Sequence, residues 1–548
     1  MQIISSILEM SLPREVKEFI RTQRDRITDL LTELFSMSEE LEDTKEKLSK
    51  AEAEIKRLKK LPGKPKLKPS KLDEEKPSGK GTKGKKKGKE GKKRKKGKLA
   101  IHEQKVVELA GVPSDWELVG YSTYVVQDML IRGNNIEYQR EVWRSPLGEE
   151  VTAKLPAELQ GKQFGMTLRA YVIHQYYECG ASQIIIWQSL QDFGVQISTG
   201  QINAILNEDK EAFHAEKKGL LSKAIELGEE LRTDDTGARH NFKNGYCNCI
   251  NSDLFTYFET TFTKSRINFL EILRQDRTAY ILNEAALDYM ISQDLSPKYL
   301  RVFQHELEQG KSNSVKVFSD KVELDTYLAE LAFTAKNAVK TITEALLIGT
   351  LIDSGLSLDT LIHSDGARQF DVFIHSLCWK HAERPLLKLH AYTQEHQQLL
   401  DTKMTAFWQL YQDLKAFKLN PLPDKIPVLE LQFDNLCLAV GNFSPLNQVL
   451  EELKKKKEKL LRVLERPETS LHNNDSERDI REYAKRRKTS AGTRSEQGRK
   501  ARDTFLSLKK TCRKLGISFW EYLIDRLHRS EQIPMLYDIM QTRKFAAD

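Results

Sequence analysis

Near the start of the chain, apolar residues recur every seven positions at Ile27, Leu34, Leu41, Leu48 and Ile55, with Leu30, Met37, Thr44, Ala51 and Leu58 in the companion positions. Five matched heptads with Glu, Lys and Asp between them predict a helical coiled coil over 1–60, which would pair protomers as a homo-oligomer, most simply a dimer. A lone amphipathic helix lying on the protein's own body is the alternative. Further on, Tyr121 to Ile131 and Ile136 to Trp143 have the composition of two strands joined by the turn Arg132-Gly133-Asn134-Asn135. A second turn, Ser145-Pro146-Leu147-Gly148, follows, so 99–160 is expected to be a small β-rich module without cysteine. The pattern then turns helical in FGMTLRAYVIHQYYE, SQIIIWQSLQDF and STGQINAILNEDKEAF, three pieces separated by glycine-containing turns. With Ser198 or Thr199 capping the third, 161–228 suits a helix-turn-helix-like DNA-binding module. An ordinary helical bundle fits the same pattern, and the third piece carries little positive charge.

From Leu231 the character becomes mixed α/β. LRTDDTGARH predicts a strand ending in acids, and NGYCNCI and LFTYFETTFTKSR supply two further strands rich in β-formers. A helical stretch at about 276–355 separates these from LDTLIHSDGARQF, where a short apolar strand ends at Asp365 before a glycine turn. A second helical region, about 381–470, leads to LHNNDSERDIREYAKRRKTSAGTRSEQGRKARDTF. This is a strongly basic helix with one glutamate, Glu477, in its first turn. By itself it reads as a surface helix capped by Asn474 or Asp475, its acid favoured by the helix dipole.

At 548 residues the chain is long enough for several domains. The net charge of +8 is unevenly spread: 61–98 carries 17 basic and 4 acidic residues, about +13, leaving the remainder near −5. Gly, Pro and Lys cannot build a core, so 61–98 is expected to be a disordered basic linker, a solvated tether whose grip on a polyanion weakens with salt. The opening lacks the features of a signal peptide, and no run of about eighteen apolar residues is present. With six scattered cysteines, the expectation is a reducing cytoplasm with free thiols and no membrane contact. Cys247 and Cys249 fall on one face of a strand with no second pair nearby, a poor basis for a metal site.

The acids Asp234, Asp365 and Glu477 share one setting, at predicted strand ends or in a helix's first turn. Carboxylates gathered there repel one another unless cations neutralise them, and hard oxygen ligands suit Mg²⁺. Acids at strand ends are common, so spacing alone says little. The stretches DDTGAR at 234–239, Ser265-Arg266, SDGARQF at 364–370, LCWKHAERPL at 377–386, LHNNDSERDIR and RRKTSAGTRSEQGRKARDTFLSLKKTCRKLGISFWEYL say more. Through them the chain resembles the DDE transposases of the insertion sequence sixty-six family, TnpC type, over essentially its whole length.

That resemblance implies an RNase H-like α/β catalytic core over 229–548 with helical insertions, and a catalytic, metal-holding triad of Asp234, Asp365 and Glu477. Asp235 is a rival for the first position. Cys378 and His381 match a Cys-x-x-His signature, for which a structural or DNA-positioning role is expected. The implied reaction is Mg²⁺-dependent cleavage at the element's ends followed by strand transfer, with two metal ions, Mn²⁺ as a possible substitute, double-stranded DNA as partner and small accessory proteins nearby. Arg481, Lys485, Arg486, Arg487, Lys488, Arg494 and Arg499 are the candidate DNA-contacting residues around Glu477. The wider family carries paired cysteines near its N-terminus; about 101–156 here has none, so no structural zinc is expected. Two rival readings stand beside this one: a DNA-bridging protein that has lost catalysis, and an RNase H-like nuclease with other substrates.

Overall fold

The computed structural model describes residues 121–547 apart from 157–158 and 310–314, with a scatter of earlier positions. The heptad positions Ile27, Leu34, Leu41, Leu48 and Ile55 and the basic linker lie outside the described residues. The chain divides into a smaller unit, Asp73–Leu206, and a larger one that takes in Asn207–Asp548.

Among the described residues of the smaller unit one strand pair forms, β1 (Val142–Arg144) with β2 (Glu150–Thr152), antiparallel around the turn 145–148. Ser145 Oγ accepts the N–H groups of Leu147 and Glu149, and Gly148 takes φ +88°. The predicted strand over 121–131 does not form: the segment is exposed and carries no ladder pairing. β-forming residues supply a tendency, but a strand needs a neighbour for its N–H and C=O groups. The three predicted helices are present at Met166–Tyr177, Gln183–Asp192 and Thr199–Asn207. Ser198 and Gln201 form a reciprocal capping box: Ser198 Oγ accepts the Gln201 N–H at 3.2 Å, and Gln201 Oε1 accepts the Ser198 N–H at 2.8 Å. The third helix ends at Asn207, short of the expected Phe213, because Asp209 turns to φ +56° and a new helix starts at Glu211.

The larger unit is built on a five-stranded sheet whose order, by residue ranges, is 256–261, 243–251, 231–240, 361–364, 374–377. Its strands are β3 (Leu231–His240), β4 (Lys243–Asn251), β5 (Thr256–Thr261), β8 (Leu361–Ser364) and β9 (Ile374–Leu377). β4 runs antiparallel to β3 and β5, while β8 and β9 run parallel to β3. This mixed sheet is compatible with an RNase H-like core. The predicted strand at LRTDDTGARH does not end at its acids. β3 continues to His240 because every residue from Arg232 onward pairs with β4, leaving Asp234 and Asp235 in mid-strand.

Two helical insertions flank the sheet. The first holds helices Glu284–Ser292, Pro297–Gln309, Lys321–Glu330 and Lys336–Asp353 and a small antiparallel pair, β6 (Tyr280–Leu282) with β7 (Lys316–Phe318). Arg266 ties this insertion to the site's flank: its guanidinium bonds Tyr289 Oη at 2.6 Å, the Arg368 carbonyl at 3.0 Å and Glu344 at 3.3 Å. The second insertion contains helices Gln394–Leu419, Ile426–Cys437 and Ser444–Lys454 and has its own apolar core around Trp379, Phe407, Tyr411 and Phe433. Among the described residues no helix is long and apolar enough to cross a membrane. None of the six cysteines forms a disulfide among the described residues; Cys179 is exposed and the other five are buried.

Candidate active site

Strand register explains why two distant acids meet. β3 and β8 pair only at Leu231↔Ile362 and Arg232↔His363. Two residues further along both strands, Asp234 stands level with Asp365, just where β8 has ended and the strands no longer bond. Level residues of parallel neighbours point to the same side. Gly366, at φ +97°, turns the chain away, and Asp365 Oδ1 accepts the Ala367 N–H at 3.0 Å, which fixes the carboxylate at the strand's end.

Glu477 arrives from the helix Asn474–Ser490, which packs across β3 and β4 through the buried face of Ser476, Asp479, Ile480, Tyr483 and Arg486. Neither Asn474 nor Asp475 caps this helix. The cap position is Asn473, which makes no side-chain cap; its Nδ2 donates to the Thr233 carbonyl at 2.8 Å and its N–H to Cys378 Sγ at 3.2 Å. Asn473 therefore pins the start of the helix to the backbone beside Asp234 and to the turn after β9. Asp475 serves instead as an ion-pair partner of Arg232 at 3.0 Å.

The acids sense each other. Burial, and after it the charges of Asp365, Asp235 and Glu477, pushes the Asp234 carboxyl up to about 7, against the opposing hydrogen bond from the Asp235 N–H. That N–H, 2.8 Å away, is the hydrogen bond the structure gives Asp234. Asp235 is placed differently: Lys264 Nζ lies 2.8 Å from its carboxylate, and Gln369 Nε2 donates to it at 2.5 Å. The two candidates for the first position thus divide: among the described residues Asp234 has no ion-pair partner, whereas Asp235 is paired with Lys264. Glu477 is held by Arg384 at 2.8 Å, with Arg481 at 3.4 Å and His381 Nε2 at 3.7 Å. Burial and the Arg384 charge lower the His381 pKa, and its Nδ1 is buried with no hydrogen-bond partner among the described residues. Cys378 is buried, and burial pushes its thiol up, away from the thiolate that a zinc ligand requires.

Three hard carboxylates, one of them short of positive charge, fit a divalent cation in donor chemistry. Among the described residues no three His, Cys, Asp or Glu side chains stand as a ready-made metal cluster, and Glu477 is engaged by Arg384. A cleft of about 330 Å³ opens beside Asp365, bordered by Cys378, His381, Pro385 and, from the second insertion, Val449 and Leu453. Trp379 fixes the helix that carries His381 and Arg384: its indole donates to the Leu460 carbonyl at 2.9 Å inside the insertion's core.

The basic candidates sort by placement. Arg481, Lys485, Lys488 and Arg494 are exposed, and Arg487 is half-buried against Gly237. Two expectations are corrected. Arg486 lies on the buried face of the glutamate helix. Arg499 is turned inward, 3.0 Å from Glu259, 3.4 Å from the fully buried Asp503 and 2.8 Å from the Thr260 carbonyl. Periodicity could not show this, because Glu259 comes from a strand 240 residues earlier. Arg499→Ala is expected to destabilise the fold by about 3 kcal/mol or more, since Glu259 and Asp503 would lose their shared cation. Arg494→Ala should leave the melting temperature unchanged; calorimetry of both variants checks the contrast. Arg384, Lys264 and Gln369 were missed as site residues, although Arg384 and Gln369 sit inside the quoted LCWKHAERPL and SDGARQF blocks.

The family model described as "Transposase IS66 family" matches residues 361–501, a stretch that holds Asp365, Cys378, His381, Arg384 and Glu477. An uncharacterised protein, y4jO, of Sinorhizobium fredii (strain NBRC 101917 / NGR234) is 39% identical over 299 residues, covering 54% of this chain and 91% of that protein. The chain belongs to the IS66 transposase family. Membership of the IS66 family supports a transposase role in general and implies DNA as partner and a divalent metal, commonly Mg²⁺. No solved structure matches the chain.

Proposed function

We propose that this IS66-family protein cuts DNA at the ends of an insertion sequence and joins the freed 3′-hydroxyl to target DNA. The observation that supports the reading is the register Arg232↔His363, which carried on by two residues sets Asp234 level with Asp365 where β3 and β8 part, with Glu477 on the helix pinned at Asn473. In the first step a water oxygen attacks the scissile phosphorus and the bond to the 3′-oxygen breaks, giving a 3′-hydroxyl and a 5′-phosphate. In the second, that 3′-hydroxyl attacks a target phosphate and displaces the target's own 3′-oxygen.

Asp234, Asp365 and Glu477 would hold the divalent metal, which supplies charge stabilisation for the attacking and leaving oxygens. The protein's own groups have defined tasks. Asp234, pushed up to about 7 and ionised above that pH, and Asp365 present oxygens at the strand gap. Arg384 holds the Glu477 carboxylate in place until it is needed, and Lys264 with Gln369 keeps Asp235 out of the cation's reach. His381, its pKa lowered by burial and the Arg384 charge, stands 3.7 Å from Glu477. The stripe Glu477, Arg481, Lys485 and Lys488 lies on one side of the helix, at spacings near one turn, so basic side chains extend from the acid along the phosphate backbone. The predicted coiled coil would bring two ends together, the basic linker would add salt-sensitive affinity, and 99–228 would read the ends.

The test is incubation of the full chain with Mg²⁺ and a duplex carrying the element's own terminal sequence. Nicking at the terminus and joining to a second duplex are expected. End binding without cutting, also in Mn²⁺ and with accessory proteins, would favour the bridging protein, and cutting without regard to the terminal sequence would favour a nuclease.

A further inference from the structure

The hairpin between β3 and β4 closes in two residues, Asn241 at φ +45° and Phe242 at φ +61°, with His240 paired to Lys243. Positive φ at both positions marks a type I′ turn, whose second place is normally taken by glycine. A bulky side chain there is strained, and burial could offset the strain. Phe242 is not buried: it is 70% exposed. An aromatic ring held in a costly conformation and presented to solvent calls for a partner.

Its surroundings say which. The loop after the glutamate helix is bonded to the tip of the hairpin: Asn241 N–H donates to the Thr493 carbonyl at 2.8 Å, and Thr493 N–H to the Arg239 carbonyl at 3.0 Å. His240 Nδ1 and Thr493 Oγ1 lie 2.9 Å apart. Gly492 at φ +120° permits the approach, since a Cβ there would meet the Arg239 carbonyl oxygen at 2.6 Å. Arg502 clamps the loop from inside through Ser490 Oγ and the Gly492 carbonyl, at 2.6 and 2.8 Å. The result is a fixed hollow of about 260 Å³ lined by Arg239, Phe242, Thr493 and Arg494, with the Arg494 guanidinium 5.7 Å from the Phe242 ring centre. A second exposed ring, Phe262, stands beside His240. Flat rings combined with guanidinium groups match bases and phosphates together.

We infer that the β3–β4 hairpin tip is a second DNA site, at which Phe242 stacks on an unpaired or splayed base while Arg239 and Arg494 hold the flanking phosphates. This rests on the DNA-cutting reading above and adds a position to it. Along β3, Asp234 and His240 are separated by about 20 Å at roughly 3.3 Å per residue. Along the helix, Glu477 and Ser490 are separated by about 20 Å at roughly 1.5 Å per residue. Both elements run from the acids to the hollow, so a duplex lying along them would be distorted about six base pairs from the cut, at roughly 3.4 Å per pair.

The experiment measures binding of the full chain to a fluorescein-labelled duplex and to the same duplex with one unpaired nucleotide. The parent is expected to prefer the bulged DNA by about fivefold or more. Phe242→Ala should erase that preference by weakening binding of the bulged DNA, Phe242→Trp should keep it, and Arg494→Ala should weaken binding of both DNAs. Phe242→Gly, which relieves the turn, should also erase the preference while melting no lower than the parent, which separates lost stacking from lost folding. A parent that binds both DNAs equally, or a Phe242→Ala variant that keeps the preference, would overturn the inference alone. A parent that binds neither DNA at low salt would overturn the DNA-cutting reading, and the inference with it.

Discussion

Asp234→Asn and Glu477→Gln are each expected to slow end cleavage by on the order of 10³-fold or more while DNA affinity stays within about twofold. Asp235→Asn should cost only about tenfold. The carboxamides keep size and remove charge, so what is lost is the negative oxygen that the cation needs. The difference between neighbours follows from their surroundings. The Asp234 carboxylate feels the charges of Asp365 and Glu477 and has no ion-pair partner among the described residues, whereas the Asp235 carboxylate is already satisfied by Lys264 and Gln369. Single-turnover cleavage beside a gel-shift titration reads both quantities. Equal losses at 234 and 235, or a larger loss at 235, would move the first acid to Asp235.

The second large effect is on stability. Asp234 titrates near 7 in the fold, against about 4 for a free side chain. Between those values the folded state keeps a proton that the unfolded chain has released, so stability falls as pH rises through this window. Three units correspond to about 4 kcal/mol in the metal-free protein. A divalent cation must displace that proton, so its stabilising shift should be small at pH 5.5 and several degrees at pH 8. Asp503, pushed up to about 6 chiefly by burial, contributes a slope of the same sign. The diagnostic quantity is therefore the difference between parent and Asp234→Asn: in EDTA above pH 7 the variant should melt higher, and Mg²⁺ should shift it little. Parallel pH profiles for the two proteins would show that Asp234 carries no such charge problem.

How much of this was legible in the sequence varies with the kind of interaction. β4 and β5 stood out because their residues pack on both faces of the sheet, and SDGARQF announced a strand end through its glycine turn. The extent of β3 did not, because the strand is held past its acids by pairing to β4 and not by its own composition. The β-formers of 121–131 misled for the converse reason, having preference without a partner. The acids themselves came from the resemblance; their alignment comes from the register Arg232↔His363, a property of two segments 131 residues apart. Arg384 holds Glu477 across 93 residues of sequence, most of them in an insertion with its own core. Basic residues near Glu477 looked alike in the sequence. Helix phase turns Arg486 inward, and buried carboxylates from elsewhere capture Arg499.

The most direct measurement is anomalous scattering from crystals of the full chain grown with Mn²⁺ and end DNA. The account predicts Mn²⁺ density against Asp234, Asp365 and Glu477, with Arg384 withdrawn from the Glu477 carboxylate. Mn²⁺ bound elsewhere, with the Arg384–Glu477 pair intact and the end DNA in place, would contradict it.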